Sequence, residues 1–592
     1  MLNDSQTRER GGFRFFFVPV LLALWFVVLV VRLVDLHLGS REKRNQTILQ
    51  GKLPANRGII YDRNEVPVAV NRPGYKVFVD PEAPIKEGQD MRRTAERIAE
   101  LTGVGFASVY REITGQGKKS RYIVIGTTFD KEAVDLVTNT AVYCRCGLDP
   151  FSERSYPQGR RFSHLVGYVS GNDAKGRNGG VEEQAEDNLR GTDGIYVGVK
   201  DKNGREIRER RRTTMNAIDG DSVYLTVDHN IQHVVCELLR FGITNYNATG
   251  GKVIVQKVAT GEILAMASLP DFDPANFRAF SPEERRNKAI GLVYDPGSTM
   301  KGITVAAALN EGLVTPQTVF DVGQGSWAYG GRILRDHPRG PLTVRQIIQK
   351  SSNIGAAKIG LLLGNRRLES YIKAFGFVQR LGIDLPGEER GLLPPHKTWE
   401  PVKPTRVAMG QGISVTPLQL VNAYNTIANG GHCMRPYVIS RVVSADGTVV
   451  YRNEPKELGR PIRPDTAEKM RAILKSVTNY AADRVDHGTG WRARIEGYSV
   501  AGKTGTAQML VNGAYSEKDY WSSFVGFVPA ENPVFSMIVI LDRPRGELTA
   551  DGLYHKAHDG SGTAAPLFSK IASYVAQYLE IPIEVNDEVE EE

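Results

Sequence analysis

Three short motifs constrain this chain more than any other feature: Ser298-Thr299-Met300-Lys301, Ser351-Ser352-Asn353 and Lys503-Thr504-Gly505-Thr506, in that order. Ser298 follows Asp295-Pro296-Gly297, where proline and glycine break the preceding structure and mark a helix start. Lys301 then falls about one helical turn from Ser298, on the same face. A serine hydroxyl is a poor nucleophile at neutral pH and needs a base beside it. Lysine can serve only if burial or a neighbouring cation lowers its pKa, and Lys503 is the candidate cation. Ser351-Ser352-Asn353 opens a helical segment from Ile354 to Leu363, and Asn353 brings both a donor and an acceptor. An N-cap cluster is equally compatible with that segment. Lys503-Thr504-Gly505-Thr506 lies in a strand-like run from Tyr498 to Gln508. Gly505 lets a substrate backbone approach, while Lys503, Thr504 and Thr506 offer a charge and hydroxyls to a terminal carboxylate. Together the motifs make a serine acyl-transfer site with no histidine and no metal.

Each motif alone is weak. Ser40-Arg41-Glu42-Lys43 and Ser170-Gly171-Asn172 match the first two patterns outside this context. Only the later copies combine order and spacing with Lys-Thr-Gly. That combination resembles the class B penicillin-binding proteins, most closely the septal, FtsI-like type. Arg57-Gly58-Ile59-Ile60-Tyr61-Asp62-Arg63-Asn64 is similar to the segment opening their extracytoplasmic part, with Glu65 where the pattern usually has glycine. Arg154-Ser155-Tyr156-Pro157, His164 to Tyr168, Gly180-Val181-Glu182 and Leu189-Arg190-Gly191 fit the same family, and the likeness runs from about residue 54 to 570. His164 reads as a hydrogen-bonded core histidine. Asn287-Lys288-Ala289 and Met409 to Gln419 have family counterparts that read as framework, and Gly302 stands where proline is frequent.

The resemblance implies a mixed α/β fold: a penicillin-binding, serine β-lactamase-like transpeptidase domain with a mainly antiparallel sheet flanked by helices. An elongated β-rich pedestal and one amino-terminal transmembrane helix complete it. The expected organisation is a cytoplasmic tail (1–14), an anchor (15–38), the pedestal (39–215), the transpeptidase domain (216–580) and an acidic, disordered tail (581–592). Ser298 is implied as nucleophile, Lys301 as base and Ser351 as proton relay. Asn353, Lys503, Thr504, Gly505 and Thr506 are implied to bind substrate, with backbone N–H groups of Ser298 and Thr506 as the oxyanion hole. The implied reaction is D,D-transpeptidation of peptidoglycan stem peptides ending in D-Ala-D-Ala, trapped by β-lactams. Implied partners are a membrane glycosyltransferase of the FtsW type and other division proteins.

Phe15 to Val31 is an uninterrupted apolar run between Arg14 and Arg32, extensible through Leu38. Its length approaches the roughly 20 residues of a span, and Arg8, Arg10 and Arg14 place the amino end in the cytoplasm. The catalytic domain is then expected in the periplasm, tethered to the inner membrane. No small-residue cleavage site follows, which argues against a signal peptide. The net charge of +8 suits an anionic membrane surface, and no nucleic-acid-binding motif accompanies it. The basic run Arg205 to Arg212 reads as a solvated face. Cys144 and Cys146 lack further ligands, as do His555 and His558, so neither a metal nor any other cofactor is expected. Three alternatives stay open: an elongation-type transpeptidase, a hydrolase, and a non-catalytic scaffold or β-lactam sensor that keeps the fold.

Overall fold

The computed structural model describes residues 12–35, 48–81, 90–115, 122–130, 146–170, 178–200, 206–481, 486–548, 554–555 and 557–583. Ser40 to Lys43, Cys144, Gly171-Asn172 and the acidic tail from Glu584 lie outside them. The chain divides into two compact units, Met1–Asn56 with Gly191–Asp219, and Arg57–Arg190 with Gly220–Glu592. Residues 39–215, expected as one pedestal, are thus shared between two units.

The smaller unit carries an antiparallel sheet of Ile48–Leu53, Gly194–Lys200 and Glu206–Met215. The basic run forms its third strand. Arg210 and Arg212 are exposed, and the Arg211 guanidinium lies 4.4 Å from the centre of the Tyr196 ring. The unit also holds a helix, Gly12–Val34, whose residues Val18 to Val34 are exposed. Among the described residues no helix is long and apolar enough to cross a membrane.

The larger unit contains two large sheets. In the first, Ile60–Tyr61 pairs in parallel with Ser222–Leu225 and antiparallel with Pro67–Val79. Ile439–Val443 and Val449–Arg452 extend one side, and Ile123–Thr128 and Cys146–Ser155 pair with Pro67–Val79 on the other. Segments before residue 215 therefore share a sheet with segments after it. The region expected to be β-rich also holds several helices, the longest described being Met91–Thr102 and Phe106–Thr114. The first is capped by the Asp90 carboxylate, which accepts from the N–H groups of Arg92 and Arg93, and ends at left-handed Gly103. Val77, Val79, Ala95, Ile98, Val109 and Ile113 join strand and helices in a small core.

The second sheet is wholly antiparallel, in the order Ile263–Leu269, Gly250–Lys257, Phe535–Asp542, Ala514–Val528, Ala501–Val511. Its central strands are apolar on both faces, because helices cover both. Phe535, Met537, Val539 and Leu541 join one core with helices His229–Asn245 and Ala564–Tyr578. Ile538 and Ile540 face the other core, with helix Pro417–Ala428. The period of two in the sequence sorts side chains between these cores. Ala501–Val511 is the edge strand, so one row of its backbone groups is left unpaired by any further strand.

Candidate active site

All eight residues expected at the site are in the larger unit. Ser298 sits in a 3-10 turn, Gly297–Thr299, that feeds helix Met300–Asn310. Gly297 has φ of +56°, open to glycine but strained for other residues. The Asp295 carboxylate accepts from the Gly412 N–H (3.0 Å) and the Tyr515 hydroxyl (2.7 Å), and Gly297 N–H donates to Gly410 O (3.0 Å). The segment around Met409 to Gln419 is therefore framework for the Ser298 turn. Asn287 likewise caps a short helix at Ala289 N–H, and its amide reaches His164 O (3.3 Å). His164 is buried with Nε2 at 2.8 Å from Glu284 O, and burial lowers its pKa.

The helix places Lys301 wholly inside the protein. Its Nζ donates to Ser351 O (2.6 Å) and Asn353 Oδ1 (2.7 Å) and lies 3.3 Å from Ser351 Oγ. Lys503 Nζ, also wholly buried, reaches the same Ser351 Oγ at 3.0 Å and the Thr504 carbonyl and hydroxyl at 3.2 and 3.4 Å. One serine hydroxyl thus bridges two lysine amines, and among the described residues neither amine bonds a carboxylate. Ser298 is partly exposed and its hydroxyl makes no hydrogen bond to a described residue.

Burial brings the Lys301 pKa down to about 7, with Asp336 opposing that fall. Burial is the leading cause on Lys301, and Lys503 is the neighbouring amine on the same Ser351 hydroxyl. Lys503 is itself lowered well below its ordinary value, first by burial and then by the Lys301 charge. A neutral lysine has two N–H donors and one lone pair. Ser351 O and Asn353 Oδ1 take the donors of Lys301, which leaves the lone pair to accept a proton.

Local backbone explains the second motif. Ser351 adopts φ of +59°, unusual without glycine, and Lys301 bonds its carbonyl. Ser352, not Ser351, caps helix Asn353–Leu363, accepting from Gly355 N–H at 3.0 Å. Cap and motif therefore coexist on adjacent residues. Asp336 went unnoticed in the sequence. Its carboxylate accepts from the Ser352 hydroxyl and from Ile354 N–H (3.0 Å), fixing the start of that helix beside Asn353.

The third motif lies on edge strand Ala501–Val511, with Thr504 opposite Phe524 and Thr506 opposite Ser522. Thr504 Oγ1 pairs with Thr489 Oγ1 at 3.3 Å, and Thr506 Oγ1 accepts from Gly560 N–H at 3.2 Å. Gly505 has a second reason beyond substrate approach. A Cβ there would lie 2.3 Å from Ser523 Oγ and 2.9 Å from Thr299 Cγ2, so glycine lets the strand lie against the Ser298 turn. Among the described residues no group of histidine, cysteine or acidic side chains could hold a metal ion.

Comparison with known proteins gives the family. Residues 251–573 match the penicillin-binding protein transpeptidase domain and residues 52–225 the penicillin-binding protein dimerisation domain. The chain belongs to the class B penicillin-binding proteins. It is 33% identical over 554 residues to stage V sporulation protein D of Bacillus subtilis, covering 90% of this chain and 83% of that one. It is 28% identical over 578 residues to the peptidoglycan D,D-transpeptidase FtsI of Buchnera aphidicola, covering 96% of each. Among solved structures, penicillin-binding protein 3 of Mycobacterium tuberculosis complexed with aztreonam is 27% identical, with a TM-score of 0.68 over 90% of this chain and 98% of that one.

Proposed function

We propose that the chain is a serine D,D-transpeptidase that cross-links peptidoglycan stem peptides at the division septum. The observation that carries this reading is the meeting of two wholly buried lysines on the Ser351 hydroxyl, beside the Ser298 turn. Ser298 Oγ attacks the carbonyl carbon of the penultimate D-alanine while Lys301 Nζ accepts its proton. The N–H groups of Ser298 and Thr506 receive the oxyanion, each donor contributing about 3–4 kcal/mol. The C–N bond then breaks, and the proton passes through the Ser351 hydroxyl to the departing D-alanine amine. An amine of a neighbouring stem attacks the Ser298 ester carbonyl, the acyl C–O bond breaks, and the amine's proton passes through the same relay to Ser298 Oγ, which leaves the cross-link. Lys503, Thr504 and Thr506 hold the terminal carboxylate, Asn353 the stem amide, and Gly505 keeps the strand against the nucleophile.

The apolar run Phe15 to Val31 and its arginine flanks in the sequence support a single-pass anchor with the amino end in the cytoplasm and the catalytic unit in the periplasm. A septal complex with an FtsW-type glycosyltransferase is part of the same proposal, drawn from the resemblance of the motifs to septal, FtsI-like penicillin-binding proteins. Intact mass after incubation with a penicillin should show one stable adduct on the wild type and none on Ser298→Ala. An adduct on Ser298→Ala overturns the nucleophile assignment, and rapid loss of the wild-type adduct favours a hydrolase. Growth supported by Ser298→Ala alone would make the chain a scaffold.

A further inference from the structure

Helix Pro417–Ala428 lies behind the Ser298 turn and carries Tyr424, whose ring and hydroxyl are wholly buried. A buried tyrosine hydroxyl needs a hydrogen-bond partner. Here it donates to the carbonyl oxygen of Thr299 at 2.8 Å. That carbonyl belongs to the peptide between Thr299 and Met300, within the single turn that separates Ser298 from Lys301. Fixing the plane of that peptide fixes the spacing between nucleophile and base.

Position 302 gives an independent observation. A Cβ added to Gly302 would meet Tyr424 Oη at 2.7 Å and Cζ at 3.3 Å. The tyrosine hydroxyl occupies the space that any side chain at 302 would need. Gly302 and Tyr424 are therefore one device: the missing side chain admits the hydroxyl, and the hydroxyl holds the turn. Neighbours leave the turn little room to relax otherwise. Thr304 Oγ1 donates to Ala408 O (2.9 Å), Thr299 Oγ1 donates to Pro296 O (2.7 Å), and a Cβ on Gly410 would lie 2.0 Å from Gly297 O.

We propose that Tyr424 is a positioning residue for acylation, holding the Ser298–Lys301 turn through its bond to Thr299 O in space kept open by Gly302. Burial pushes the Tyr424 pKa up, so the hydroxyl stays a neutral donor throughout the working range. The inference rests on the proposed acylation of Ser298, and the wild type tests that reading separately. A misplacement of about 1 Å at reacting groups can cost on the order of 100-fold in rate.

The experiment is pre-steady-state acylation of the full-length protein by a fluorescent penicillin, separating the encounter constant from the acylation rate constant. Tyr424→Phe, which keeps the ring, should lower the acylation rate constant about tenfold or more at unchanged encounter constant and thermal midpoint. Gly302→Ala should be slower still, since its methyl displaces the hydroxyl. The double variant Gly302→Ala with Tyr424→Phe should acylate faster than Gly302→Ala alone, because phenylalanine vacates the contested space. Wild-type acylation by Tyr424→Phe, or additive losses in the double variant, overturns the proposal. So does a loss that follows a lowered thermal midpoint, because that marks a packing role. A wild type that never acylates would instead sink the proposed function.

Discussion

Two parts of the larger unit bury cations, and they treat them oppositely. Arg57 and Arg154 converge on Glu182, whose side chain is wholly buried: Arg57 Nε lies 2.7 Å from one carboxylate oxygen and Arg154 Nε 2.6 Å from the other. Arg57 also reaches Glu186 at 2.6 Å. Burial works against the Arg57 charge, yet Glu182 and Glu186 outweigh it and its pKa is raised. Lys301 and Lys503 are wholly buried, deeper than the slightly exposed Arg57 and Arg154, and meet carbonyls, hydroxyls and an amide instead of bonding carboxylates. Arginine cannot give up its proton and must be matched by charge, whereas lysine in the same position sheds it. The first arrangement holds three segments together; the second lowers the Lys301 amine to a pKa of about 7.

Removing the base should have the largest effect. Lys301→Ala is expected to slow penicillin acylation by about 10²- to 10⁴-fold at pH 7, with folding retained. The wild-type acylation rate should fall on the acid side with a midpoint near about 7, because protonated Lys301 has no lone pair to accept the serine proton. The same lowered pKa makes the native state bind fewer protons than the unfolded chain between about 7 and 10.5, so stability contributed by this group rises with pH across that window. A pH–rate profile without an acid limb would break the comparison at its root.

Giving the lysine a carboxylate should convert one kind of site into the other. Asn353→Asp places a charge where Oδ1 now accepts from Lys301 at 2.7 Å. An opposite charge so close raises a pKa by about 1–3 units, so the acid limb should move up by that amount and acylation at pH 7 should fall about 5- to 500-fold. An unmoved limb would show that burial alone sets the base. In the reverse experiment, Glu182→Gln strips Arg154 of its carboxylate and leaves Arg57 with Glu186 alone. Chemical denaturation should report a loss of about 3–5 kcal/mol, with normal acylation by molecules that remain folded. A loss below about 1 kcal/mol would show that the cluster is solvated after all.

The smallest effect is expected at Glu65, where the family pattern has glycine. Glu65 takes φ of +63°, a region glycine enters freely, and its exposed carboxylate reaches Arg441 at 2.8 Å. Relief of the backbone and loss of an exposed ion pair nearly cancel, so Glu65→Gly should change stability by no more than about 0.5 kcal/mol. A larger loss would mean that Arg441, 3.9 Å above the Tyr224 ring, depends on the glutamate for its place.

The motif residues were legible in the sequence because chemistry dictates their identity whatever surrounds them. Ser298 and Lys301 had to be a turn apart, and Gly297 announced the turn. Asp336 was not legible: an aspartate before His337-Pro338 reads as loop polarity, and only tertiary structure brings it to the helix at Ser352. Tyr424 was hidden in the same way, as one apolar position among many in a wholly buried helix. Arg57, Arg154 and Glu182 were each noticed as landmarks, but nothing local says that they meet. Helix Met91–Thr102 was missed despite its Asp90 and Gly103 caps, because the strand-like runs around it dominated the pattern. The pairing of Ile60–Tyr61 with Ser222–Leu225 joins segments too distant for any periodicity to link.

Around Ser298, backbone touches backbone. Added Cβ atoms on Gly410, Gly505 and Gly560 would lie 2.0 Å from Gly297 O, 2.3 Å from Ser523 Oγ and 2.3 Å from Ser523 O, while one on Gly297 would lie 3.0 Å from Thr506 O. Almost every single-codon change at these four positions inserts atoms into occupied space. Under antibiotic selection, a cell therefore gains little by altering the innermost layer, where drug and stem peptide make the same demands. Resistance evolving in such a target has to enter from farther out, through side chains whose small displacements reach the serine indirectly and leave cell-wall synthesis running.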